Sequence, residues 1–261
     1  MIEKFFATLK FLWLFLFALI VVASSVKASE RKSAISLYED NYFISGNGKE
    51  NNQVKGQISI KYALVYPYNI GLYMAYTDAF WWNIYDKSSP FREHNYKPEL
   101  FFRWDKESKW WLSLFATDYL QGGIGHKSNG RDGPESKSID YYYYWTAQHS
   151  AGEKINIGFN YKIRKLKRIS DNFHIKKYWG RNVGCFIQSG DGSEYIDKER
   201  LSYNYEFGTD YGKHVVTVEC RILTTKFQPF LFAIYEHGYG VDGLIDYDKK
   251  GEYFKIGLKL K

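Results

Sequence analysis

His126 and Ser128 stand two residues apart in "GIGHKSNGRDGPESKSID", residues 123–140, and Asp140 closes the stretch. On a β-strand, residues two apart share a face. A hairpin centred on Gly133, inside "RDGPE", sets Ser128 opposite Ser138 and His126 opposite Asp140. Directly opposed residues have Cβ atoms ~5 Å apart, so that register gathers Ser, His and Asp on one face unless a bulge shifts it. The cluster suits acyl transfer. Ser128 attacks a carbonyl carbon, His126 takes its proton, and Asp140 holds the imidazole tautomer and stabilises the imidazolium. Gly130, with no side chain to block approach, offers a main-chain N–H to the oxyanion. Spacing alone leaves a plainer reading open, because Asn-Gly is a strong turn signal and polar residues are common at a hairpin tip.

The elements that would carry this cluster read as strands. In "EKINIGFNYKI", Ile155, Ile157, Phe159, Tyr161 and Ile163 alternate with Lys154, Asn156, Gly158, Asn160 and Lys162. A helix would scatter these residues around its circumference, whereas a strand puts them on two opposite faces. "GQISIKYALVY" and "GEYFKIGLKLK" alternate in the same way. The segments approach the ~10 residues a tilted membrane strand needs, and aromatic groups such as "AFWW", "KWWL" and "YYYYW" resemble interfacial girdles. Turn-rich stretches ("SGNGKENNQ", "SNGRDGP", "SGDGSE", "GTDYGK") divide the chain into roughly ten to twelve strands. The expected fold is all-β, a transmembrane antiparallel β-barrel of about twelve strands, closed so that no backbone group is left unpaired in lipid.

The chain opens with a basic head (Lys4, Lys10), an apolar stretch from Phe11 to Val22, and Val26-Lys27-Ala28. This pattern predicts a signal peptide over residues 1–28, since the apolar run is short for a spanning helix. Residues 29–55 are polar and read as a periplasmic arm, with the barrel over 56–261. Without the leader, 33 basic residues face 28 acidic ones, a net charge of +5. That balance is mild, and the aromatics are too regularly interleaved for a nucleic-acid surface. Cys185 and Cys220 have neither metal spacing nor the number a disulfide framework needs, and read as ordinary strand residues.

Four ordered stretches carry a resemblance. "HKSNGRDGPESKSIDYYY", "WWNIYDKSSPFREHNYKPELF", "SDNFHIKKYWG" and "GYGVDGLIDYDKKGEYFKIGL" resemble segments of the outer membrane phospholipase A family, calcium-dependent barrel enzymes of the bacterial outer membrane. The resemblance implies hydrolysis of phospholipid acyl esters (A1 and A2, with lysophospholipase activity conceivable) at a site on the lipid-facing wall, open to the outer leaflet. It also implies a homodimer that binds Ca2+ at its interface. By position, His126 and Ser128 match the catalytic pair and Gly130 the oxyanion donor. Arg131, through its carbonyl, and Ser136 match calcium ligands, with Ser88 reaching in from the second subunit and Asp171 serving a second calcium position. Three positions depart from the family pattern. Asp140 stands where the family has Asn, Asp78 replaces a dimer-contact Gln, and Gly133 replaces an Asp near calcium. Rival readings are a lipid A deacylase, which is a smaller barrel, and a non-catalytic porin-like barrel.

Overall fold

The computed structural model describes residues 34–46, 53–65, 70–84, 86–105, 117–152, 155–168, 172–189, 199–221 and 229–260. The signal peptide, the "KWWL" stretch and Asp171 lie outside them. The described strands are β1 (Ile35–Leu37), β2 (Asn41–Ser45), β3 (Val54–Val65), β4 (Ile70–Trp82), β5 (Phe91–Asp105), β6 (Thr117–Ser128) and β7 (Ser138–Ala151). They continue with β8 (Ile155–Arg168), β9 (Arg181–Ser189), β10 (Arg200–Phe207), β11 (Gly212–Arg221), β12 (Pro229–Tyr239) and β13 (Lys250–Leu260). Each strand from β3 to β13 pairs antiparallel with its sequence neighbours, and β2 pairs with both β13 and β3, so β2–β13 close a twelve-stranded barrel.

The supposed periplasmic arm is therefore partly wall. β2 is the closing strand, and β1 pairs with β3 further along, Ile35 opposite Tyr62. The alternation that reveals this is only five residues long, with Phe43 outward (48% exposed) and Ile44 fully buried inside. Among Asn, Gly, Lys and Glu neighbours it was too brief to read.

Two faces define every strand. Ile58, Met74, Ile157, Phe159, Phe254 and Leu258 are exposed on the outer surface, where hydrocarbon would solvate them. The alternate positions hold charge and hydroxyls inside. Lys55 donates to Glu236 and to the Tyr253 hydroxyl, both at 2.6 Å. Tyr142 donates to Glu99 at 2.9 Å, and Lys162 reaches the same carboxylate at 3.4 Å. The "YYYYW" run is thus only half a girdle. Tyr141, Tyr143 and Trp145 face outward, while Tyr142 and Tyr144 are buried in the main core cluster with Phe101, Ile139, Ile175, Trp179 and Leu244. Trp81 of "AFWW" is buried as well. Cys185 and Cys220 lie on β9 and β11 and are unbridged.

The fully described loops β6–β7, β10–β11 and β12–β13 share one end of the barrel, since each joins an antiparallel pair that runs in the same sense. The β12–β13 loop folds over that mouth. Ile245 N–H donates to the buried Glu93 carboxylate at 2.9 Å, and Leu244 N–H donates to Asn95 Oδ1 at 3.1 Å. Gly243 makes the approach feasible, since a Cβ there would lie 2.7 Å from Glu93 Oε2.

The two-faced wall makes a direct prediction on β13. Ile256 faces out, and its neighbour Lys255 is buried with Nζ donating to the Gln53 carbonyl at 2.8 Å. Ile256→Arg should lower folding stability in lipid bilayers by roughly 2–4 kcal/mol if it lies near the midplane. Equilibrium unfolding in vesicles measures this, and an unchanged stability would mean that this face does not meet lipid.

Candidate active site

β6 delivers His126 and Ser128 to the outer wall, because Lys127 between them points into the lumen. The register of the β6–β7 hairpin is the expected one at its tip, with Ser128 opposite Ser138 and Lys127 opposite Ile139. It then slips, and Gly125 pairs with Tyr142. Between these pairs one β6 residue, His126, faces two β7 residues, Asp140 and Tyr141, which is a β-bulge.

The bulge alters the expected triad. His126 Nδ1 lies 2.9 Å from the main-chain carbonyl oxygen of Asp140, not against its carboxylate. A carbonyl can only accept, so Nδ1 carries the proton and Nε2 presents its lone pair. The Asp140 carboxylate instead accepts from the Ser138 hydroxyl at 3.2 Å. The extra residue in β7 turns the main-chain carbonyl toward the ring. Gly125 borders the bulge on β6, where a Cβ would lie 2.5 Å from the Tyr142 ring.

Beyond Ser128, the loop is stapled by Asn129, a buried side chain that sequence reasoning took for a turn signal alone. Its Oδ1 accepts from the main-chain N–H of Lys137 at 3.0 Å and of Arg131 at 3.3 Å, and its Nδ2 donates to the Glu135 carbonyl at 2.8 Å. Gly130 sits between these anchors with φ +66°, and a Cβ there would lie 2.6 Å from the Tyr96 ring. Glycine is needed twice over, for conformation and for space. Gly133, at φ +58°, opens the short 3-10 turn Gly133–Glu135. The Arg131 guanidinium donates to the Arg92 carbonyl and pairs with Glu135, while Arg92 pairs with Asp246 of the mouth loop. The loop that carries Gly130 is thereby tied to β5 and to the closing hairpin. Among these partners, Asn129, Tyr96, Arg92 and Asp246 had gone unassigned. The φ-demanding Asn-Gly pair was the available hint for Asn129; the others are contacts between distant segments.

Arg131 and Ser136, expected as calcium ligands, share this one loop. The Ser136 carbonyl lies 3.5 Å from Asn172 Nδ2, which brings the segment next to Asp171 toward it. Ser88 is exposed on the separate β4–β5 loop, at φ +69° with Ser89 at +42°. Such left-handed non-glycine residues cost of order 1–3 kcal/mol each and persist where the surroundings enforce them. Here Ser89 N–H donates to the Asp86 carbonyl at 2.9 Å and Trp82 Nε1 donates to the Ser89 carbonyl at 2.8 Å. No group of three or more His, Cys, Asp or Glu that could hold a metal occurs among the described residues. Asp78 has a partner within the chain: His94 Nδ1 lies 3.0 and 3.2 Å from its two oxygens, and the His94 ring stacks on Tyr96.

A closed barrel with an apolar outer wall that carries His126, Ser128 and the left-handed Gly130 in one hairpin defines a membrane-embedded protein with a candidate hydrolase site. The phospholipase A1 family model matches residues 15–260. The chain belongs to the phospholipase A1 family. It is 29% identical to a phospholipase A1 of Proteus vulgaris, over 92% of this chain and 86% of that protein. It is 26% identical to the phospholipase A1 of Escherichia coli K12, with the same coverage. Among solved structures it resembles outer membrane phospholipase A from Escherichia coli, with a TM-score of 0.69 at 24% identity, over 92% of this chain and 96% of that one. The Salmonella typhi outer membrane phospholipase, solved as a dimer with bound calcium, matches equally well.

The main-chain bond to His126 predicts that Asp140→Ala keeps its activity within about tenfold, because the acceptor survives truncation. If the carboxylate were the orienting group, the loss would approach the ~10⁴ seen when a triad acid is replaced. Steady-state hydrolysis in mixed micelles decides between the two.

Proposed function

We propose that this chain is an outer-membrane phospholipase that cleaves acyl esters of membrane phospholipids, with Ser128 as nucleophile. The observation that carries the reading is the fixed tautomer of His126 beside an outward-facing serine. With Nδ1–H held by the Asp140 carbonyl, Nε2 is the base that takes the Ser128 proton as Oγ attacks the ester carbon. The Gly130 N–H, aimed by the Asn129 staple, receives the oxyanion. The imidazolium then returns the proton to the departing glycerol oxygen. Water, deprotonated by the same Nε2, releases the fatty acid and restores the serine. Substrate reaches the site sideways from the bilayer, since the catalytic side chains stand on the lipid-facing wall.

Calcium fits the donors available, which are hard oxygens: the Arg131 carbonyl, the Ser136 hydroxyl, Ser88 of a second copy, and Asp171 for a second ion. When bound, calcium supplies Lewis-acid polarisation beside the oxyanion position. The strained, exposed Ser88 supports a role in trans, because its loop holds the hydroxyl away from its own core. A homodimer favoured by calcium follows. Pairing with His94 reduces the cost of Asp78 at such an interface, where two carboxylates would otherwise meet. Both A1 and A2 positions are proposed as substrates. Twelve strands argue against the smaller lipid A deacylase barrel.

Ser128→Ala should abolish phospholipid hydrolysis, by at least ~10³-fold, while the barrel keeps its heat-modifiable gel mobility, since an outward side chain at a strand end supports no core. Chelation of calcium should suppress the wild type and shift it toward monomer in sedimentation. Full activity of Ser128→Ala, or calcium-independent activity of a monomer, would contradict the respective assignment.

A further inference from the structure

Directly behind the catalytic pair, on the inner face of β6, Lys127 enters a cavity of about 660 Å³ in the lumen. Its Nζ lies 5.1 Å from the centre of the Trp179 ring, and the Arg164 guanidinium lies 4.3 Å from the same ring. Arg164 also lines the cavity, its side chain only 9% exposed. Its Nε and Nη1 have no hydrogen-bond partner among the described residues. The nearest carboxylate, Glu206, is 3.4 Å from Nη1 and is shared with Lys213 at 3.5 Å. Lys127 has the Trp179 ring as its neighbour and no ion pair or hydrogen bond among the described residues.

The carboxylates of the wider network are shared among other cations. Lys213 also shares Glu236 with Lys55, and Lys97 and Lys162 share Glu99, with Glu39 a further partner of Lys97. The acidic neighbours of Lys127 and Arg164 are thus already engaged, Glu206 by Lys213 and the buried Glu93 by Asn95 and the Ile245 N–H. Buried cations are stable when they are paired and their donors are satisfied. Water can satisfy donors but cannot supply charge. We propose that this pocket is a binding site for a small tetrahedral oxyanion, phosphate or sulfate, held by the Arg164 guanidinium and the Lys127 ammonium beside Trp179. Guanidinium groups bind such oxyanions through strong, charge-assisted hydrogen bonds, and Nε and Nη1 of Arg164 are the donors available for them. The site lies on the opposite face of the wall from the ester chemistry and does not depend on it.

Isothermal calorimetry on the full-length mature barrel in detergent tests the site, with inorganic phosphate as probe and sn-glycerol 3-phosphate titrated in parallel as the headgroup fragment. Saturable binding of about one phosphate per chain is expected. Arg164→Gln and Lys127→Met should each weaken it at least about tenfold, the scale of one lost charge-assisted hydrogen bond. Arg164→Lys, which keeps the charge and guards against loss through misfolding, should retain most of the affinity. Lys165→Gln, on the exposed outer face, should leave it unchanged. The better binder of the two probes tells whether a free oxyanion or a headgroup phosphate is the natural occupant. No saturable heat in correctly folded wild type, or equal affinity in wild type and Arg164→Gln, would overturn the proposal. Because binding is read without turnover, its failure leaves the hydrolase reading untouched, and a catalytically silent protein can still pass.

Discussion

The hydrogen bond between His126 and the Asp140 main-chain carbonyl exists because β6 and β7 slip by one residue just below the hairpin tip. In a regular antiparallel ladder the main-chain carbonyls point along the sheet to the next strand and are consumed there. A bulge frees one and turns it toward a side chain. The carbonyl fixes the imidazole tautomer through a neutral acceptor, while the Asp140 carboxylate accepts from the Ser138 hydroxyl. The same bulge brings both Asp140 and Tyr141 to the outer surface, so that the proposed catalytic residues and membrane-facing residues lie side by side.

Everything else in the site serves to hold that slipped hairpin still. Asn129 knits the loop to itself with three hydrogen bonds. Arg131 carries it to the Arg92 carbonyl, and Arg92 carries it to Asp246 in the mouth loop. That loop is in turn pinned by Glu93 and Asn95, and its Leu244 packs with Ile175 and Trp179 beneath β6 and β7. The polar lumen braces the wall from within, Tyr142 and Glu99 linking β7 to β5. A lipid-facing active site needs this rigidity because the bilayer offers no polar scaffold of its own.

How much of this was legible in the sequence follows from the range of each signal. Alternation over eleven residues, as in β8 and β13, shows both strand and face, and the length of the segments with their flanking aromatics pointed on to a membrane barrel. Five residues in β2 did not suffice, so the closing strand passed for an arm. Aromatic runs were ambiguous because alternation sends Tyr142 and Tyr144 inward while Tyr141 and Tyr143 stay in lipid. The pairing of Ser128 with Ser138 was correct, since the turn centred on Gly133 dictates it locally. The side-chain contact between Asp140 and His126 was not, because the bulge next to Gly125 shifts the register that the turn sets, and one glycine among several in β6 does not single out that position. The expected calcium ligands came from family likeness alone, since periodicity says nothing of them.

The central claim is that Ser128, on the lipid-facing wall, is a nucleophile activated by a tautomer-fixed His126. Covalent trapping tests this most directly. The folded, calcium-supplied protein is treated with a long-chain alkyl fluorophosphonate and the adduct is located by peptide mass spectrometry. The account predicts stoichiometric modification of Ser128, lost in His126→Ala, where the serine remains but its base is gone. Modification of another residue, no adduct in active protein, or equally fast labelling of Ser128 in His126→Ala would contradict it.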